Sequence, residues 1–177
     1  AMGASESRSE DAEKDESLFF ASAHGDNALV AELLDSAANV NHIQKDNEGA
    51  TPCIAAAQEG NVECLRLLLA QPACEINRAD KFGFTPCHMA AKWGHAHCLS
   101  LLLSRGADVA QATKDGATAC HVAAEHDNVE CLRVLVSAGA RVDAAGQDGN
   151  TPYDCAVQNA SEACIEFLEH RDGVASV

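Results

Sequence analysis

Hydrophobic residues along this chain come in short, evenly spaced bursts. One runs Cys64-Leu65-Arg66-Leu67-Leu68-Leu69 and another Cys98-Leu99-Ser100-Leu101-Leu102-Leu103, each broken by one polar residue at its third place. That spacing lays an apolar stripe along one face of a helix and leaves the polar residue outward. Ahead of the bursts stand the alanine pairs Ala56-Ala57, Ala90-Ala91 and Ala123-Ala124, small enough for a short first helix to pack tightly on its neighbours. Thr51, Thr85, Thr118 and Thr151 precede these first helices, at steps of 34, 33 and 33 residues. Threonine suits an N-cap, and Pro52, Pro86 and Pro152 suit the first helical position, where a missing N–H costs nothing. Gly60 and Gly94 turn the chain back between the two helices, and Gly106 and Gly139 end the second. The chain then extends through Asp108-Val109 or Arg141-Val142 into a tight turn at the next glycine. Each unit thus predicts helix, turn, helix and hairpin finger, and a fixed period in the thirties predicts a stacked repeat.

The fullest copy is Thr85-Pro86-Cys87-His88-Met89-Ala90-Ala91-Lys92-Trp93-Gly94-His95, followed by the apolar run at 98–103 and then Arg105-Gly106-Ala107-Asp108-Val109. It resembles the ankyrin repeat, whose pattern is D-x-x-G-x-T-P-L-H-x-A-A-x-x-G-H, then I-V-x-L-L-L, then G-A-D-V-N. The likeness covers roughly residues 17 to 170. It implies an all-α solenoid of five helix-turn-helix units with hairpin fingers, at about 17–45, 46–79, 80–112, 113–145 and 146–170. The first unit lacks the Gly-x-Thr-Pro lead-in, and the last breaks the buried pattern with Tyr153, Asp154 and Glu169, so these two are expected to be caps with a solvated outer face. Two extra residues between Asn41 and Asp46, and one at Gln71-Pro72, are expected in surface loops. Asp127 and Ala160 replace the turn glycine. Alanine takes that geometry poorly, so a local distortion is expected near Ala160.

Composition narrows the function. Twelve basic residues against 27 acidic ones give a net charge of −15 without a basic stripe, which argues against nucleic acid and anionic membrane as partners. Such a charge steers toward a partner with basic patches, and it also simply keeps a rod soluble. The chain has no apolar run fit to span a membrane and no signal-peptide pattern, and reduced thiols in the number found here imply the cytoplasm or nucleus. Residues 1–16 hold six acids and two bases with no apolar period, so disorder is expected there. The leading Ala1-Met2-Gly3 reads as a remnant of expression, and 171–177 as a C-terminal tail.

Nine cysteines suggest thiol chemistry, but their spacing is that of the fold. Cys53, Cys87 and Cys120 take the place of the leucine after Thr-Pro in the ankyrin pattern. Cys64, Cys98, Cys131 and Cys164 open the apolar runs. Equivalent positions in stacked units lie about one helix diameter apart, ~10 Å, out of disulfide reach. They are read as small buried hydrophobes in a reducing compartment. Cys74, beside Pro72 in a loop, is expected to be the most reactive. His95-Ala96-His97-Cys98 crowds three metal-binding types together, but no second cluster follows at finger spacing. In the family, the histidine matched by His88 and His121 bonds neighbouring backbone. No metal, cofactor or catalytic site is expected, and nothing resembles a nucleophile elbow, phosphate loop or paired-carboxylate site.

What remains is a binding face. In ankyrin proteins partners lie along the concave surface made by the finger tips and the first-helix residues just before the turn. Carried over, the third unit offers Lys81, Phe82, Phe84, Lys92 and Trp93, with His126 flanking from the fourth. Two of the five phenylalanines and the only tryptophan fall there, at places that are polar or small in the other units. The resemblance implies a non-enzymatic adaptor or scaffold, a monomer that binds another protein or peptide through these residues. A regulatory domain of a larger enzyme or channel is the alternative. A second alternative is a substrate of an asparaginyl hydroxylase, since Asn41 and Asn77 occupy the finger asparagine that such enzymes modify.

Overall fold

Every first helix after the initial one starts at a threonine whose hydroxyl meets the backbone three residues on. Thr51 accepts from the N–H of Ile54 at 3.3 Å. At Thr85 and Thr118 the third helical residue is histidine, and its ring reaches back to the threonine N–H at 3.2 and 3.1 Å; at Thr151, Asp154 does the same at 2.8 Å. These reciprocal caps satisfy donors that a helix start leaves open.

The computed structural model describes residues 3–171, with side chains over 10–170. Ten α-helices lie among them: α1 (Gly3–His24), α2 (Asn27–Asp35), α3 (Pro52–Gln58), α4 (Val62–Leu68), α5 (Pro86–Lys92), α6 (Ala96–Ser104), α7 (Ala119–Glu125), α8 (Val129–Ser137), α9 (Pro152–Gln158) and α10 (Glu162–Arg171). They form five antiparallel pairs. The first helices stack in the order α1, α3, α5, α7, α9, and the second helices in the order α2, α4, α6, α8, α10.

Small residues allow that stacking. Ala56, Ala57, Ala90, Ala91, Ala123 and Ala124 are fully buried between first helices, while Leu65, Leu68, Leu99, Leu102, Leu132 and Leu135 fill the layer beneath. The two cysteine rows lie within the same core: Cys53, Cys87 and Cys120 at its first-helix side, and Cys64, Cys98, Cys131 and Cys164 at its second-helix side. Burial pushes the Cys98 thiol up to about 11 and those of Cys87, Cys131 and Cys164 to about 12, so at neutral pH they carry their protons.

The turn between paired helices has φ near +75° at Gly60 and Gly94. A Cβ on Gly60 would sit 2.7 Å from the His95 ring, and one on Gly94 would sit 2.8 Å from Asn128 Oδ1. Asp127 and Ala160 take the same left-handed conformation, φ 55° and 54°. The distortion expected at Ala160 does not occur: Ser161 N bonds Ala156 O at 2.9 Å, as Asn128 N bonds Ala123 O at 2.9 Å in the preceding unit. At Asp127 the residue that opens the helix stacked next to it is the small Ser161, where Gly60 and Gly94 meet the larger His95 and Asn128. Asp127 also gains a bond, accepting from the N–H of Cys164 at 3.0 Å near the start of α10.

Fingers are closed by a bond from the first residue to one four places on: Asp80 to Phe84, Thr113 to Ala117 and Gly146 to Asn150. In the finger ahead of α3 that bond runs from Gln44 to Ala50 instead, and the two extra residues are absorbed by a 3-10 turn at Lys45–Asn47. Isolated antiparallel bridges join Gln44 with Ala50 and Ala112 with Thr118.

A second expectation is corrected. From Gly3 onward, the segment expected to be unstructured is the beginning of α1. Residues 1–2 lie outside the described residues, as does the proposed tail beyond Arg171. The buried Leu18, Phe19, Ala21 and Ser22 fix the far end of α1. Asp15 accepts from the N–H of Asn39 at 2.6 Å, and Glu16 from the side chain of Gln44 at 3.4 Å. Once that end is nucleated, each further residue extends the helix without a new nucleation penalty, and alanine, glutamate and lysine favour it. Composition alone underestimated that anchoring.

The thiol rows generate a stability prediction. Cys98→Ser places a hydroxyl among apolar neighbours and should destabilise the chain by about 1–3 kcal/mol in urea titrations. In the native protein, Cys64, Cys98 and Cys131 should resist maleimide; rapid labelling of all three would contradict their burial.

Candidate functional site

The finger that opens the third unit is held from both sides by backbone. Lys81 N–H donates to the carbonyl of Glu48 in the preceding finger at 2.9 Å, and Lys114 N–H of the following finger donates to the carbonyl of Phe82 at 2.9 Å. Within the finger, Asp80 Oδ1 accepts from the N–H groups of both Phe82 and Phe84 at 2.9 Å. Gly83 sits between them at φ +91°, and a Cβ there would lie 2.7 Å from the Lys114 nitrogen. The backbone is therefore fixed while the Phe82 side chain is turned outward.

Phe82 remains 48% exposed and Trp93, at the end of α5, 54% exposed. Phe84 is half-buried, its ring edge-on to His88 with centroids 5.9 Å apart. Two lysines complete the set. The Lys81 ammonium lies 4.9 Å from the Phe82 ring centre and pairs with Glu48. The Lys92 ammonium lies 6.0 Å from Phe84 and 5.9 Å from Trp93, joining finger to helix. His126 stands one unit on, exposed, and its ring bonds the Val122 carbonyl of its own turn at 3.1 Å. It flanks the set from α7 and is not one of the ring–cation contacts.

A groove of about 290 Å³ opens beside these residues, with Ile54, Phe82, Phe84 and Met89 as apolar lining and Glu48, Gln58 and Lys92 among its polar lining. Its floor belongs to a second apolar cluster, Phe19, Ala50, Ile54 and Ala55, against which Met89 packs. Sequence reasoning named the finger and the lysines but missed Ile54 and Met89. A signal was available. Ile54 stands where His88 and His121 stand in later units, and Phe20, Ala55, Met89, Val122 and Cys155 form one register row along the first helices. Phe20 is itself 46% exposed, extending that row toward the start of the chain.

Asn41 and Asn77 are placed differently from the aromatic set. Asn41 Oδ1 accepts from the N–H of Glu75 at 2.8 Å, and its amide donates to the carbonyl of Ala73 at 2.6 Å. Asn77 Oδ1 accepts from the N–H of Asp108 at 2.9 Å. Both side chains bridge to the next unit rather than bonding within their own turn. Among the described residues, no group of three or more histidine, cysteine or acidic side chains is arranged to hold a metal. His97 is exposed while Cys98 is buried, so the crowded sequence there does not converge.

His88 supports the finger from below. Its Nδ1 accepts from the N–H of Thr85, and its Nε2–H donates to the carbonyl of Ala117 in the next finger at 3.1 Å. His121 repeats the arrangement toward the carbonyl of Asn150 at 3.2 Å. Burial holds the His88 ring neutral, lowering its pKa from an ordinary 6.5 to about 4.

The family model described as ankyrin repeats (3 copies) matches residues 18–113 and 107–175. Among the described residues, no helix is long and apolar enough to cross a membrane.

The buried ring makes stability depend on pH. Between about pH 6.5 and 4 the unfolded chain binds a proton at His88 that the folded chain does not, so stability falls as pH drops through this window and is full above it. The shift corresponds to at most about 3 kcal/mol. Urea titrations from pH 7.5 to 4 should show this slope in the wild type and a shallower one in His88→Gln. Equal slopes would show that the ring does not carry the effect.

Proposed function

Because this chain belongs to the ankyrin-repeat family, whose repeats generally mediate contacts between proteins, we propose that it is a non-enzymatic adaptor or scaffold, and that its partner binds on the groove beside Phe82, Phe84 and Trp93. One observation carries the reading. Two large aromatic side chains stand about half-exposed on a hydrogen-bonded finger and an adjoining helix end, beside a groove with an apolar floor. Interfaces draw most of their energy from a few such anchors, and an apolar surface of this kind costs a lone protein solubility.

The partner is a protein segment that places an apolar side chain into the groove against Ile54 and Met89. Lys81 and Lys92 brace the aromatic faces from the rim, where a cation over a ring contributes on the order of 0.5–1 kcal/mol, and His126 borders the same face from α7. A net charge of −15 disfavours nucleic acid and steers basic segments toward the chain. Buried reduced thiols suit a cytoplasmic or nuclear monomer. The same face serves whether the repeat array stands alone or forms one part of a longer protein.

Affinity capture with the wild-type chain, read by mass spectrometry, supplies the partner. Against that partner, Phe82→Ser/Phe84→Ser should cost at least ~2 kcal/mol of binding free energy. Helix content should stay intact by circular dichroism. Phe82→Ser alone, whose side chain is largely outside the stack, gives a second reading if the double variant unfolds. Unchanged binding by a folded variant would show that the partner contacts another face.

A further inference from the structure

Two of the nine cysteines meet. Cys53, at the second position of α3, is 2% exposed, and Cys74 lies partly exposed in the loop that follows α4. Their Sγ atoms are 3.4 Å apart, within hydrogen-bonding contact. Cysteines in equivalent positions are separated by the stacking distance of the units. This pair escapes that limit because both members belong to the second unit and come from different parts of it. The loop carrying Cys74 contains the one-residue insertion at Gln71-Pro72; the Cys74 N–H donates to the carbonyl of Gln71 at 3.0 Å, and Asn41 bonds the backbone of Ala73 and Glu75 on either side. Cys74 packs at the edge of the core, half-buried, and lies outside the concave face; its contact with Cys53 is what sets it apart from the cysteine rows.

We propose that Cys53 and Cys74 form a redox-modification site, which a peroxide converts into a disulfide within the second unit. Geometry sets the roles. Cys74 is reachable from solvent and Cys53 is covered, so Cys74 reacts first and Cys53 resolves it. Closing the bond takes the sulfurs from 3.4 Å to about 2.0 Å, a displacement that a surface loop beside a helix start can accommodate. The hydrogen bond between the two thiols also lowers the pKa of Cys74 and raises that of Cys53, which favours the same division of roles.

The chemistry balances. The Cys74 thiolate attacks one oxygen of hydrogen peroxide, the O–O bond breaks, and hydroxide leaves with the electron pair, giving a sulfenic acid on Cys74. Cys53 gives up its thiol proton to that hydroxide, forming water, and its sulfur attacks the Cys74 sulfur. The S–O bond breaks and the second hydroxide leaves, taking up the proton released when Cys74 first ionised. Two thiols and one peroxide become one disulfide and two waters, with two electrons passing from sulfur to oxygen.

The test uses the whole reduced chain treated with equimolar hydrogen peroxide, quenched with catalase, then denatured and alkylated. Seven alkyl groups should be found in place of nine, with a cross-linked peptide joining Cys53 to Cys74, and dithiothreitol should restore nine. Cys74→Ser should retain all eight of its thiols under the same treatment. In Cys53→Ser, the sulfenic acid on Cys74 should persist and be captured by dimedone. In the untreated native protein, Cys74 should react with maleimide at least tenfold faster than Cys98. Nine surviving thiols, a cross-link to some other cysteine, or loss of two thiols in folded Cys74→Ser would each overturn the assignment. The cross-link map of the wild type decides the matter even where a variant folds poorly.

Discussion

The residue that opens each second helix after α2 reaches back to close the end of the first helix in the unit before it. Asn61 donates to the carbonyls of Ser22 and Ala23, His95 to that of Gln58, Asn128 to those of Ala91 and Lys92, and Ser161 to that of Glu125, all at 2.8–3.3 Å. Carbonyls at a helix end have no partner within the helix, and leaving them bare in a packed interior costs free energy. No unit between the ends is complete without its successor. On the finger side the same dependence is carried by backbone, from Lys81 to Glu48, Lys114 to Phe82 and Gln147 to Asp115. The stack is therefore a chain of nearest-neighbour couplings, and a loss in one unit is felt in the next.

Thin units follow from that geometry, and the exposed face follows from thin units. Alanine and cysteine fill the space between first helices because little else fits when the next unit is one helix away. A phenylalanine at a finger tip and a tryptophan at a helix end have nowhere inside to go. Phe84 is only half-accommodated, against His88, and Phe82 and Trp93 stand out in solvent. The rule that keeps the core small thus leaves aromatic side chains exposed on a hydrogen-bonded frame.

Most of the fold was legible because its signals are local and recur. The cap threonines, the alanine pairs and the turn glycines each have one physical use, and seeing them at a fixed step leaves few alternatives. Legibility failed where the deciding contact comes from elsewhere in the chain. How Asp127 takes the place of a turn glycine depends on Ser161 and Cys164 in the next unit, which no window around Asp127 contains. The helix over residues 3–16 depended on Asn39 and Gln44 meeting Asp15 and Glu16. The contact between Cys53 and Cys74 crosses 21 residues and belongs to no repeating row. In the candidate site, the aromatic residues stood out by their rarity. Ile54 and Met89 did not, since an apolar residue in a first helix looks like core until the groove above it is seen.

Trp93 is the only tryptophan, so its fluorescence reports on the face directly. Acrylamide quenching of the folded, partner-free chain is the most direct measurement of whether the stack leaves its aromatic residues outside. Emission at long wavelength, quenched nearly as steeply as in the urea-unfolded chain, is the result expected for a ring 54% exposed at the end of α5. Short-wavelength emission that acrylamide scarcely reaches would mean that the ring is packed into the neighbouring finger, and that the third unit presents no such anchor.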